Sequence, residues 1–251
     1  MNICLFRQEE MGRPLPLRDE RAVHLRKVLH KKEGDSFAAG IIGGEAGLAT
    51  ITAISEGAEG GIAFTFVPQG DGKPLYPLAM LIGFPRPIQL KRLLRDMAGL
   101  GVAEVHLSGT ELGEKSYLQS ELATSEAGCA MLLDGTVQAA STHVPRLVRH
   151  ANLRESLTYI EENFSNADTV RIGFDNVRPE ESLVSFLGGQ EAHKVQNCVA
   201  AIGSERGWTD GERQLLASCG YSLLGLGKRV LRTETAATVA ASLILGAMGA
   251  L

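Results

Sequence analysis

Beyond residue 75 the chain alternates short apolar runs with helical patterns, and this alternation restricts the fold more than any other feature of the sequence. Residues 78–82, 104–107, 170–174 and 197–202 read as buried strands, whereas 88–100 and 116–133 carry helical spacing. Strands that are apolar throughout need cover on both faces, and helices between them supply it. The pattern predicts an α/β domain with a largely parallel sheet.

The first third has a different rhythm. Residues 37–42, 47–54 and 62–67 are short, β-branched and punctuated by glycine, including Gly43-Gly44 and the glycines at 57, 60 and 61, which predicts a small antiparallel barrel or sheet. Residues 18–32 set Val23, Val28 and Leu29 among many basic side chains, as expected of a helix lying on that barrel with its charged face in solvent. Between the two patterns, Gln69-Gly70-Asp71-Gly72-Lys73-Pro74 is a cluster of turn formers that can extend neither strand nor helix. Two domains are expected, 1–72 and 73–251.

Near the C-terminus, Leu226-Gly227-Lys228-Arg229-Val230-Leu231-Arg232-Thr233-Glu234-Thr235-Ala236 places a glycine turn, an Arg and a Glu immediately before an Ala-rich helix. The apolar stretch from Thr235 is too short and too rich in small residues to span a bilayer. It reads instead as a buried helix, capped by Thr233 or Thr235, with Glu234 in its first turn and close contact with a neighbouring element.

Composition narrows the class. At 251 residues, 44% hydrophobic and 22% charged, the chain can fill two modest cores. The start carries an early charge and no apolar h-region, so a cytoplasmic location is expected. Cys4, Cys129, Cys198 and Cys219 form no CxxC pair, which argues for buried free thiols over a zinc site or disulfides. A net charge of -4 conceals three basic clusters: 21–32, then Arg86, Lys91, Arg92 and Arg95, then Arg146, Arg149, His150 and Arg154. With acids dominating 155–181, this asymmetry fits a polyanion-binding face.

Several familiar chemistries fail on spacing. A triphosphate loop would need Gly where Ser222 stands and Ser or Thr where Arg229 stands, and a dinucleotide fingerprint would need Gly in place of Val230. His24, His30, His106, His143, His150 and His193 show no metal-ligand spacing, so no metal is expected, and no Ser or Cys lies in a nucleophile elbow. A second glycine-framed turn follows a buried strand, Ile202-Gly203-Ser204-Glu205-Arg206-Gly207-Trp208, and Thr209 with Glu212 then forms a capping box. Two glycines about a carboxylate let backbone approach a ligand closely while Glu205 faces a positive group or accepts a proton.

Together these two turns resemble the SPOUT superfamily of methyltransferases, in particular the RsmE type that methylates ring N3 of a uridine in 16S ribosomal RNA. The terminal run from Leu224 to Ala236 is the most specific match, joined by 202–208 and by His24 to Leu29 with Gly34-Asp35; weaker motifs fall at Leu100-Gly101-Val102, Lys115-Ser116, Gln138 and Val144-Pro145. The resemblance implies a C-terminal α/β trefoil-knot domain behind a small N-terminal PUA-like β-barrel, a homodimer with the last helix buried, and a small-ribosomal-subunit partner. It implies that Ile202, Gly203, Ser204, Glu205, Gly207, Leu224, Leu226, Gly227, Val230, Leu231, Thr235 and Ala236 hold S-adenosylmethionine. The chain departs from the family's usual residues at Ser204, Arg206, His30, Ser141, Asp96 and Gly99.

On that resemblance Arg232 is expected to stabilise charge on a uracil carbonyl or anchor a phosphate, with Glu205 or Glu234 as proton acceptor. Arg21, His24, Arg26, Lys27, His30, Lys31 and Lys32 are expected to grip RNA phosphates, which supplies affinity rather than base choice. A protein of the same descent acting on another RNA, or binding RNA without turnover, is the alternative.

Overall fold

A computed structural model of the chain describes residues 2–57, 59–120, 125–164, 168–189 and 195–251. The backbone groups into two compact units, one of residues 1–74 and 136–144 and the other of 75–135 and 145–251.

The first unit is built on a sheet with strand order β1-β3-β4-β5-β2, formed by β1 (Cys4–Phe6), β2 (Leu15–Pro16), β3 (Ser36–Ile41), β4 (Ala46–Ser55) and β5 (Gly61–Gly70). The three central strands are those legible in the sequence. They pair antiparallel, whereas β1 adds parallel to β3. Inward residues Phe6, Leu15, Phe37, Ala39, Ala49, Ile51 and Ile62 form its core, with Ala22 and Leu25 pressed onto it. The helix expected over 18–32 is shorter: α1 (Glu20–Val23) runs into a π turn at His24–Val28, and the chain leaves at His30 with φ 52°. Residues 136–144 return to this unit, where Thr142 N–H bonds the Gly72 carbonyl at 2.9 Å and its own carbonyl accepts from Gly43 N–H at 2.8 Å.

The second unit carries the parallel sheet. Its strands are β6 (Tyr76–Gly83), β7 (Val102–Ser108), β8 (Arg146–His150), β9 (Thr169–Phe174), β10 (Glu181–Ser182), β11 (Asn197–Ile202) and β12 (Ser222–Gly225), in the order β10-β12-β9-β11-β6-β7-β8. The intervening helices are α2 (Pro87–Leu100), α3 (Ser125–Gln138), α4 (Leu153–Asn163), α5 (Leu183–Gly189), α6 (Asp210–Ser218) and α7 (Thr233–Ala247). Part of the helical pattern at 116–133 is a 3-10 turn at Lys115–Gln119; residues 121–124, like His193, lie outside the described residues.

Alternation along each strand divides the core. Ala79, Leu81, Val199 and Ala201 face Leu153, Leu157 and Ile160 of α4, Leu216 of α6 and Trp208 of the turn before α6. On the other face α7 packs on β6, β11 and α2. Its small residues Ala237, Ala240 and Ala241 are fully buried, which permits close backbone approach. The N-cap differs from expectation: it is Arg232, neither Thr233 nor Thr235, because the helix starts at Thr233, itself buried at the first position. The prediction of buried thiols holds for Cys4 and Cys198, both pushed up to about 12, chiefly by burial; Cys129 is exposed and Cys219 half-buried. No helix among the described residues is long and apolar enough to cross a membrane.

Candidate active site

The sheet reverses direction of growth between β6 and β11: the chain builds β6, β7 and β8 outward on one side and then β9, β11 and β12 on the other. Ligands of open α/β sheets bind beyond the carboxyl ends of strands at such a switch point. Here the carboxyl ends are Gly83 and Ile202, paired in register one residue apart. A Cβ on Gly83 would strike the backbone of Gly203 and Ser204, so only glycine lets the two strand ends run this close.

The turn after β11 is tight. Gly207 N–H donates to the Ser204 carbonyl at 2.8 Å, Gly207 adopts φ 72°, and a Cβ on Gly203 would lie 2.9 Å from the Gly207 carbonyl carbon. Trp208 anchors the turn by donating its indole N–H to the Phe174 carbonyl at 2.9 Å. Thr209 and Glu212 form the expected capping box and start α6.

These loops enclose a cavity of about 410 Å³. Of the residues expected to hold a cofactor, Ile202, Gly203, Ser204, Glu205, Gly207, Leu226, Gly227, Val230, Leu231 and Ala236 line it. Leu224 and Thr235 do not: Leu224 is buried within β12, its carbonyl accepting from Asp175 N–H, and Thr235 is exposed on α7. The strand-end residues Phe174, Asp175, Asn176 and Val177, with Arg206, Arg229, Arg232 and Thr233, complete the wall. The Asp175-Asn176 pair directly after a buried strand was the signal that would have found the strand-end residues.

Asp175 is the buried charge of this wall, its side chain 1% exposed and paired with Arg213 at 2.8 Å. Burial alone would raise its carboxyl, but the Arg213 guanidinium and the Arg178 N–H outweigh that and hold it below the usual carboxylate range. The Ser204 hydroxyl, by contrast, is buried in the cavity wall and has no hydrogen-bond partner among the described residues. An orphaned hydroxyl beside a mostly apolar, glycine-framed cradle suits a ligand that brings polar groups of its own.

Next to this cavity is a smaller one of about 260 Å³, lined by Arg86, Gln89, Glu205, Arg232 and Glu234. Glu205 and Arg232 line both cavities, whereas Glu234 reaches only the smaller. A third and larger space, about 820 Å³, lies at the carboxyl ends of β6, β7 and β8, where Lys115, Arg149 and Arg154 contribute positive charge.

The basic residues of the first unit do not behave alike. Lys27, His30 and Lys32 are exposed, and His24 and Lys31 are half-buried. Arg26 pairs with Glu56 at 2.7 Å. Arg21 is structural: it bonds Asp19 at 2.8 Å, Glu10 at 2.6 Å and the Leu5 carbonyl at 2.8 Å, and holds both carboxyls below their usual range. His150 is likewise buried, so the third basic cluster presents only its arginines. No group of side chains suited to a metal ion occurs among the described residues.

Comparison with known proteins places this arrangement. Residues 72–245 match the RNA methyltransferase domain model, which defines the class. The chain is 38% identical over 98% of its length to the ribosomal RNA small subunit methyltransferase E of Treponema pallidum, covering 91% of that protein, and 34% identical to ribosomal RNA small subunit methyltransferase E 1 of Borreliella burgdorferi, covering 97% of both. It therefore belongs to the ribosomal RNA small subunit methyltransferase E family. In fold it resembles the Neisseria gonorrhoeae enzyme of that name, solved with S-adenosylmethionine, at TM-score 0.77 and 21% identity over 98% and 97% of the two chains. A methyltransferase of Legionella pneumophila solved with the same cofactor gives TM-score 0.74 at 19% identity, covering 98% of each chain.

Proposed function

We propose that the protein transfers a methyl group from S-adenosylmethionine to ring N3 of a uridine in 16S ribosomal RNA. One observation carries this reading: Glu205 and Arg232 are shared between a cofactor-sized cradle and a smaller polar cavity, so an acceptor and a cation stand where the two would meet.

Bound in the 410 Å³ cavity, S-adenosylmethionine would supply an electrophilic methyl on a sulfonium that becomes a neutral thioether as the methyl leaves. The backbone of Gly203, Leu226, Gly227 and Leu231, with the free hydroxyl of Ser204, would hold it. The chain must then align the ring nitrogen and take its proton. Glu205 is the better placed acceptor, because it borders both cavities and Arg86 N–H fixes one of its oxygens at 3.1 Å. Arg232 balances the negative charge that spreads from N3 onto the ring carbonyls.

The SPOUT trefoil-knot architecture is part of the same proposal, supported by the order β12-β9-β11-β6 and by the likeness to cofactor-bound structures. So are a PUA-like role for residues 1–72, whose exposed Lys27, His30 and Lys32 suit RNA phosphates, and a homodimer in which α7 is covered further. The test is incubation with labelled S-adenosylmethionine and small subunits from cells lacking the protein, followed by mass-spectrometric mapping. A single uridine methylated at N3 is expected; no transfer by cofactor-bound protein, or methyl on another atom, overturns the reading.

A further inference from the structure

The geometry of the smaller cavity points to a receptor for the imide edge of uracil, in which Arg86 and Gln89 are specificity-determining residues alongside Glu205 and Arg232. This inference rests on the proposed uridine-N3 chemistry and extends it to how the base is chosen.

Arg86 is the N-cap residue of α2, with φ −52° and ψ 140°, and Pro87 follows at the first helical position. That geometry turns the chain sharply after β6 and sets the Arg86 side chain at the cavity while its main-chain N–H holds Glu205. Arg86 Nε donates to the Tyr117 hydroxyl at 3.1 Å, which steadies the guanidinium and leaves its terminal nitrogens without partners among the described residues. Arg232, Gln89 and Glu234 have no side-chain hydrogen bond or ion pair there either, so the polar groups around this 260 Å³ space, exposed or half-buried, stand open to a ligand.

The complementarity is chemical. Uracil presents an acceptor, a donor and an acceptor along O2, N3–H and O4. Two guanidinium donors, a carboxamide and a fixed carboxylate acceptor match that edge. Cytosine would set its N3 lone pair against Glu205 and its amine against a guanidinium, two repulsive contacts in a site where Glu205 and the Arg86 guanidinium are each held by a hydrogen bond. Guanine keeps the N–H but adds an amine and a second ring. The same donors that read O2 and O4 also meet the charge that develops on them when N3 loses its proton, so Arg86 acts on recognition and on rate.

Purified R86M, R86K and Q89A proteins test this with unmodified small subunits, reconstituted either with natural ribosomal RNA or with 5-fluorouridine-substituted RNA, whose N3 proton is more acidic. S-adenosylmethionine binding by calorimetry should stay within about twofold of the wild type, because neither residue lines the 410 Å³ cavity. For R86M, kcat should fall about a hundredfold. R86K should fall between, since an ammonium keeps the charge and loses the fork. The R86M rate should go on rising at pH values where the wild-type rate has levelled, and 5-fluorouridine should narrow the gap. Wild-type rates and pH profiles in R86M and Q89A, with the native protein still methylating N3, overturn the receptor while leaving the function standing. Loss of cofactor binding in both Arg86 variants assigns the residue to structure and overturns it as well. If the native protein methylates a different atom, the functional reading fails first.

Discussion

The Glu205 carboxylate accepts a hydrogen bond from the main-chain N–H of Arg86 at 3.1 Å, across 119 residues of sequence. This contact ties the loop after β11 to the start of α2 and holds the proposed proton acceptor between the two cavities. Glu205→Gln keeps the shape and removes the acceptor. Methyl transfer from the bound cofactor should fall by about 10²- to 10⁴-fold, beyond any change in cofactor affinity, read by single-turnover kinetics at saturating cofactor and by calorimetry. Full turnover in this variant would move the role to Glu234.

Gly83 and Gly203 let β6 and β11 end side by side. Gly83→Ala forces a methyl against main-chain atoms of Gly203 and Ser204, which cannot swing away as a side chain would. A stability loss of about 1–3 kcal/mol is expected on urea titration, together with weaker S-adenosylmethionine binding. Unaltered binding would show that the turn does not shape the cradle.

Arg213 neutralises Asp175 inside the wall of the 410 Å³ cavity. Arg213→Met leaves that carboxylate buried and unpaired, at a cost of about 3–5 kcal/mol near neutral pH. The folded-state carboxyl is held low, so the pair's stabilisation is present above the ordinary carboxylate range and disappears as pH falls through the folded value. The variant should accordingly lose its excess instability in acid. A constant difference from pH 7 to pH 3 would contradict the assignment.

His150 lies 3.1 Å from His106 in the layer between β7, β8 and α4, its ring stacked on that of His106 and tilted against Tyr159. Burial, then the neighbouring His106, push its imidazole below the usual value, against a smaller opposing pull from Glu155. The unfolded chain therefore takes up the proton first, and stability should drop as pH falls below about 6.5. Melting curves between pH 7.5 and pH 5 should show this, and His150→Gln should flatten the slope.

Changing Lys27, Lys31 and Lys32 together to Gln should weaken RNA binding uniformly and reduce the salt slope of log K by about 2–3. Arg21→Gln should instead lower the melting temperature, since its guanidinium joins Glu10, Asp19 and the Leu5 carbonyl. Filter binding across a salt series separates the two effects. An unchanged slope in the lysine variant would remove the N-terminal segment from the RNA platform.

Local order was written in the sequence wherever neighbouring residues decide it. The Thr209–Glu212 capping box and the glycine turn at 203–207 depend on contacts a few residues apart, and the apolar runs at 78–82, 170–174 and 197–202 show their burial in contiguous letters although their strand partners are distant; each occupies its expected place. Family membership was legible for the same reason, because its marks are contiguous runs. What the tertiary structure alone decided involves long separations. Residues 136–144 join the first unit through hydrogen bonds to Gly43 and Gly72, and Arg21, one basic residue among many in sequence, is neutralised by acids that the fold delivers. Arg86 meets Glu205 only because β6 and β11 are adjacent in the sheet. A side chain's charge can be read from its letter; whether that charge is spent on the fold or left for a ligand depends on which distant residues the packing sets beside it.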